Sequence, residues 1–183
     1  MEKIKVWDCS DVFVGQYPFH QKLKDELVPI LEEYSDQQDR QTNVKATMTE
    51  WGWDPRSDNL NRVKECILAE IMTHMDYGYI GQSKPFLEFK DFWGNVYRKG
   101  DYTQSHAHRN SWFSVVYFLK TKWYYPSLIF TDSGKRIRLK EGSYVIFSSY
   151  LKHYVPKHRF DETRITLSGN VDYKGLTYDD GVR

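Results

Sequence analysis

Tyr97-Arg-Lys-Gly100-Asp-Tyr102-Thr-Gln-Ser-His106-Ala-His108 is the stretch on which the reading of this chain turns. Residues two apart on a β-strand point to one face, so His106 and His108 supply two imidazoles of a chelate. The run Tyr144-Val-Ile-Phe147-Ser-Ser-Tyr-Leu-Lys reads as a strand that brings His153 back to the pair. Downstream stands Arg164, in Thr163-Arg164-Ile165-Thr166-Leu167-Ser168. Imidazoles followed by a fixed cation point to one iron ion and one anionic co-substrate.

Working outward, the pattern turns β from Phe86. Leu87, Phe89, Trp93, Asn95 and Tyr97 share one face if that strand is regular. Further strands are expected at 112–119, 127–130, 136–139, 143–149, 153–155 and 163–171, with turns at Gly134 and at Glu141-Gly142. Short strands at this rhythm indicate a sandwich or jelly roll. Upstream, 3–15 reads as one or two strands. Phe19, Leu23, Leu27, Ile30, Leu31 and Tyr34 fall at helical spacing over 18–35, with a kink or break expected near Val28 because Pro29 follows. A second helix is capped by Ser57 or Asp58, buries Leu60, Val63, Ile67, Leu68, Ile71, Met72 and Met75, and stops at Gly78. His74 lies off its main stripe and stays out of the site. The segment between the helices carries Trp51 and Trp53, which either close over a substrate or pack on a sheet. The expected organisation is a single domain over 1–183: N-terminal strands and supporting helices in 1–85, the β core in 86–171, and a polar tail in 172–183.

With 183 residues the chain can bury one real core but not two. A net charge of +1 gives no global drive toward nucleic acid or an anionic membrane. The patch Lys135, Arg136, Arg138 and Lys140 reads as a solvated face, so nucleic acid is disfavoured as a partner. No apolar run approaches the ~18 residues of a membrane span. The N-terminus lacks an apolar leader, and Cys9 and Cys66 lack metal or redox spacing. Both observations suggest reduced thiols and a cytoplasmic protein.

Four motifs stand in order: Trp93-Gly-Asn95, Gly100-Asp101-Tyr102, His106-Ala-His108 and Ser114-Val-Val-Tyr117. With them, the segment from about Phe86 to Asn170 resembles the double-stranded β-helix core of Fe(II)/2-oxoglutarate-dependent oxygenases. It is most similar to the prolyl 4-hydroxylase-like branch and its small bacterial and phage relatives. The resemblance implies a mainly β fold with flanking helices and a cupin-like jelly-roll core. The implied cofactors are Fe(II), 2-oxoglutarate and O2, and the implied reaction is hydroxylation of a substrate C–H bond.

In that family two histidines and a carboxylate hold the metal, as His-x-Asp and a distal His. This chain has His108 where the Asp is expected. Three readings stay open: ligation by His106, His108 and His153; His108 beside the metal with Asp101 or Asp132 reaching in; or a degenerate site. His158 is a rival for the distal position. The resemblance also implies that Arg164 and Thr166 take the far carboxylate of 2-oxoglutarate, with Tyr97 and Ser114 adding hydroxyls. For Arg164 the competing reading is a surface ion pair with Asp161 or Glu162. Asn95 and Asn170 are weaker candidates for the co-substrate or substrate. Against the oxygenase reading, in which the substrate is a prolyl residue of a protein or peptide, another side chain or a small molecule, stand two alternatives: a non-oxidative cupin-like module binding metal or a small acid, and a catalytically inactive relative.

Overall fold

The computed structural model describes residues 2–7, 10–34, 42–74 and 86–174. Twelve strands and two helices are present among them. The N-terminal pattern resolves into β1 (Glu2–Trp7) and β2 (Ser10–Gln16), an antiparallel pair. Helix α1 (His20–Glu33) follows. Two short strands, β3 (Val44–Lys45) and β4 (Thr47–Met48), precede α2 (Asp58–His74). Then come β5 (Leu87–Tyr97), β6 (Tyr102–His106), β7 (Phe113–Lys120), β8 (Leu128–Phe130), β9 (Arg136–Ile137), β10 (Ser143–Ser148), β11 (His153–Val155) and β12 (Arg164–Tyr173).

These strands form two sheets. One has seven strands in the order β1-β2-β10-β7-β12-β5-β4, and the other five in the order β3-β6-β11-β8-β9. Non-consecutive neighbours in the middle of both sheets, as in β2-β10-β7-β12-β5 and β6-β11-β8, are the mark of a jelly roll, in which the chain passes back and forth between two facing sheets. The mainly β fold with flanking helices expected from the sequence is the one observed.

Alternation on the central strands creates two apolar layers. Val115, Tyr117, Ile165 and Leu167 face the helices, where they meet Leu23, Leu27 and Leu31 of α1 and Leu60, Val63, Ile67 and Ile71 of α2. Their strand neighbours Val116 and Phe118 point the other way, into the space between the sheets, with Leu128, Phe130, Val145 and Phe147. Burying each of the Val, Leu, Ile and Phe side chains among these contributes roughly 1.5–3 kcal/mol. Close approach sets one glycine: a Cβ on Gly94 would lie 2.6 Å from Cδ2 of Leu31, so a side chain there would displace Leu31 of α1 from its seat on β5.

Several sequence expectations are corrected. Helix α1 runs on through Pro29 without a break near Val28. Its buried stripe is Leu23, Leu27 and Leu31, while Phe19 and Ile30 are exposed. The cap of α2 is Ser57, whose Oγ accepts from Leu60 N at 3.0 Å; Leu68 and Met72 are half-buried rather than core. Met75 and Gly78, the expected end of α2, lie outside the described residues, as do Cys9, 35–41 and 175–183. Strand β5 is not regular. Asn170 pairs with Asp91 but Val171 pairs with Phe89, so Lys90 is an extra residue on β5. Leu87 and Phe89 therefore pack toward the helices, while Trp93, Asn95 and Tyr97 face between the sheets. The basic residues Lys135, Arg136, Arg138 and Lys140 are all exposed. Among the described residues no helix is long and apolar enough to cross a membrane.

Candidate metal and co-substrate site

The three histidines meet between the sheets. His153 on β11 is the direct cross-strand partner of His106 on β6, and His108 follows two residues after the end of β6. One ligand atom from each lies within 4.8 Å of the others. His106 Nε2 and His108 Nε2 are 3.1 Å apart. Two nitrogens bound at right angles to one divalent ion at about 2.1 Å would be about 3 Å apart, so the spacing fits a shared metal. No other group of three or more metal-ligating side chains occurs among the described residues.

Backbone carbonyls fix two of the rings. His106 Nδ1 is 2.8 Å from Gln104 O and His153 Nδ1 is 2.9 Å from Leu151 O. A carbonyl oxygen can only accept, so both rings carry their proton on Nδ1 and present an Nε2 lone pair inward. Burial pushes His153 down to about 3 and His108 to about 4, and lowers His106 as well. Neutral imidazole is the form that ligates a metal.

Asp101, offered above as a carboxylate reaching toward the metal, is tied elsewhere: its Oδ2 accepts from Arg98 N at 2.7 Å in the turn after β5. Asp132 is exposed in a turn. His158 is buried away from the triad. Its Nε2 donates to Glu162 O at 2.6 Å, and Tyr125 and Phe160 pack around its ring.

A narrow cavity of about 30 Å³ runs inward from the histidines, and Tyr97, Ser114, Arg164 and Thr166 all line it with the triad. Cross-strand register explains the gathering. Arg164 sits opposite Tyr97 and Thr166 opposite Asn95 in the β12–β5 ladder, and Ser114 opposite Asn170 in the β12–β7 ladder. Arg164 is 1% exposed, and Nε and both terminal nitrogens lack a hydrogen-bond partner. Its guanidinium lies 4.8 Å from the Tyr97 ring centre and 5.7 Å from that of Phe118. Burial lowers its pKa, but a guanidinium stays protonated in a protein. The surface ion-pair alternative does not apply, since Asp161 pairs with Lys99 and Glu162 with Lys122.

The other hydroxyls are oriented. Tyr97 Oη bonds Thr103 Oγ1 at 2.7 Å. Ser114 Oγ bonds Ser149 Oγ at 2.9 Å and donates to Asn170 Oδ1 at 3.2 Å. Asn95 is held by Trp93 Nε1 at 3.1 Å and donates to Ser168 Oγ at 3.0 Å and to Thr166 Oγ1 at 3.5 Å.

Sequence reading missed Thr103, Phe118 and Ser168. Thr103 and His106 differ in parity, yet three steps on β6 oppose two on β11, from Val155↔Thr103 to His153↔His106. That bulge returns Thr103 to the face of His106. Phe118 and Ser168 do obey alternation with Ser114 and with Thr166, which is the signal that could have found them.

Outside the triad the cavity opens to a groove of about 530 Å³, lined by Trp51, Trp93, Asp91, Arg109 and Asn170 among others. The two tryptophans of the 49–55 loop part company. Trp53 is buried against the helices, while Trp51 is 61% exposed and stacks on Trp93, ring centres 6.1 Å apart.

This architecture is the fold of solved 2-oxoglutarate- and iron-dependent oxygenases. A prolyl-4-hydroxylase from Pseudomonas putida superposes with a TM-score of 0.64 at 17% identity, over 90% of this chain and 93% of that one. HygX from Streptomyces hygroscopicus, solved with nickel and 2-oxoglutarate bound, gives 0.65 at 9% identity, over 91% and 84%. A prolyl hydroxylase from Trichoplax adhaerens, in complex with a peptide fragment of the hypoxia inducible factor oxygen degradation domain, gives 0.61 at 13%, over 88% and 82%. No family model matches the chain, and no curated protein matches it in sequence.

Proposed function

We propose that this protein is an Fe(II)- and 2-oxoglutarate-dependent dioxygenase that hydroxylates a C–H bond of its substrate. The observation that carries the proposal is Arg164. A fully buried guanidinium without a hydrogen-bond partner is costly in a folded chain unless an anion completes it. It lines the same cavity as three converging imidazoles. A molecule that chelates a metal at one end and carries a carboxylate at the other satisfies both, and 2-oxoglutarate is such a molecule.

In this reading His106, His108 and His153 hold the metal through Nε2, and the carbonyls of Gln104 and Leu151 hold two of the rings in place. Arg164 takes the far carboxylate in a two-pronged contact, with hydroxyls from Tyr97 and Thr166 beside it. Ser114 contributes a further hydroxyl from β7. When bound, iron, 2-oxoglutarate and O2 supply oxidative decarboxylation to succinate and CO2 coupled to C–H oxidation. Leu128, Phe147 and Val155 wall the cavity and exclude water. The outer groove orients the substrate, with Trp51 and Trp93 as an apolar rim.

A prolyl residue of a protein or peptide is the substrate class we favour, supported by the open groove and by the two prolyl hydroxylases that share the fold. A cytoplasmic setting accords with the sparse cysteine usage. The non-oxidative cupin-like alternative has no need of Arg164 together with Thr166, and it predicts no O2-dependent succinate formation. The test is an anaerobic titration of Fe(II) and 2-oxoglutarate, followed by O2-dependent succinate release. Absence of both the visible charge-transfer band and succinate would reject the proposal.

A further inference from the structure

One carboxylate stands in the groove outside the triad. Among the described residues, Asp91 is the single acid lining either the inner cavity or the outer groove, and it shares the groove with Trp51, Trp93, His106 and His108. It precedes Trp93 by two residues on β5, so it faces the same way about 6–7 Å farther out along the strand. Trp93 in turn packs on His108, ring centres 5.9 Å apart. Asp91 is also the last residue in regular register before the extra residue Lys90, and bulges of this kind re-aim side chains beside functional sites. Its side chain is half-buried, and its carboxylate makes no hydrogen bond or ion pair with a described residue. The basic neighbours are placed differently. Lys90 Nζ donates to Asn110 O at 3.3 Å and lies 3.9 Å from Asp172 Oδ2, while Arg109 is exposed, where water solvates its charge. A partly desolvated carboxylate without a partner favours a bound cation.

Aromatic faces stand beside it. Trp51 stacks on Trp93 with 27° between the ring planes, and 61% of Trp51 stays exposed. Neither ring is loose. Gly52 N and Trp53 N both donate to Phe92 O, at 3.1 and 3.0 Å, which ties the loop of Trp51 to β5 next to Asp91. Trp93 Nε1 donates to Asn95 Oδ1 at 3.1 Å. Indole faces attract positive charge, and an adjacent carboxylate completes the contact with an N–H cation.

We propose that the substrate presents an ammonium or guanidinium group to a subsite formed by the Asp91 carboxylate and the Trp51–Trp93 pair, beside the C–H bond that is oxidised. The inference rests on the oxygenase reading above and narrows its substrate class: the group is a basic side chain next to the target residue of a peptide, or the amine of a small molecule. Asp91 is the specificity determinant, and Arg109 is the residue that an acidic substrate would use instead.

The full-length protein is titrated by calorimetry under anaerobic conditions with Fe(II) and 2-oxoglutarate present. The peptide probes are acetylated, amidated alanine–glycine peptides with one proline flanked on both sides by lysine, glutamine or glutamate. Butylamine and butanol are the small-molecule pair. A cationic probe should bind at least about fivefold more tightly than its neutral counterpart, and added sodium chloride should erode the difference. Whichever cation gains more over its neutral partner names the source, peptide side chain or small amine. In Asp91→Asn the cationic and neutral probes should bind alike, and in Asp91→Glu the preference should persist. Should Asp91→Asn fail to fold, Asp91→Ser takes its place. The inference is overturned if cations gain nothing over neutral probes, if the glutamate peptide binds best, or if the neutral variant keeps the preference; each of these leaves the oxygenase reading standing. If Fe(II) or 2-oxoglutarate fails to bind, the oxygenase reading falls, and the same titrations on the metal-free protein still decide whether Asp91 selects a cation.

Discussion

Arg164 lies directly across the β12–β5 ladder from Tyr97, its guanidinium carbon 4.8 Å above the phenol ring and its nitrogens without a hydrogen-bond partner. A cation held this way destabilises the empty protein and strengthens binding of an anion. Arg164→Met should leave the thermal midpoint of the ligand-free protein unchanged or higher. It should also weaken 2-oxoglutarate binding by about a hundredfold or more while sparing metal affinity. Calorimetric titration with each ligand checks both; unaltered 2-oxoglutarate affinity would show that its carboxylate sits elsewhere.

Removal of a triad imidazole should act on the metal first. His153→Ala takes away the most buried ring, and metal affinity should fall by at least about a hundredfold in competition with a chromophoric chelator. His108→Asp should retain a metal site, since a carboxylate can ligate from the same position.

Acid should unfold the metal-free protein early. His153 titrates near 3 and His108 near 4 in the folded chain, against an ordinary 6.5. Between those values the unfolded chain binds protons that the folded chain does not, so stability falls as pH falls. The contribution is complete above pH 6.5 and is lost progressively toward pH 3. His153 alone accounts for about 3 kcal/mol of the loss by pH 4. Urea denaturation across pH 4–7 measures it, and a flat profile would contradict neutral buried imidazoles.

His158 joins the two loops that flank the Tyr97–Arg164 pair. Gly100 N donates to His158 O and His158 N donates to Asp101 O, both at 2.7 Å, while its ring donates to Glu162 O. The turn it grips depends on Gly100, whose φ of +98° suits glycine. His158→Ala should cost about 1–3 kcal/mol of stability and weaken 2-oxoglutarate binding more than metal binding. Equal losses in the two affinities would mean that the loops do not position Arg164.

The neighbouring tryptophans should behave oppositely. Trp53→Ala opens a hole beside the helices and should cost about 3–5 kcal/mol in denaturant unfolding. Trp51→Ala, at an exposed rim, should cost under about 0.5 kcal/mol and instead raise KM for the substrate. A large stability loss at Trp51 would assign it to the core.

Local patterns that depend on near neighbours were legible from the chain alone. Two histidines at strand spacing, a helix stripe at Leu60, Val63, Ile67 and Ile71, a serine cap at position 57 and a jelly-roll strand rhythm each follow from period and propensity. They determine which residues can share a face, and so they named the triad and Arg164. Only the tertiary structure decided what those faces touch. The extra residue at Lys90 and the bulge on β6 each shift alternation by one, which moved Phe89 to the helix side and brought Thr103 to the metal side. Long-range burial chose between Trp51 and Trp53, separated His158 from His153, and left Arg164 inside without a partner rather than paired at the surface. Pairing register and burial are set by contacts between residues far apart in sequence, and no local pattern encodes them.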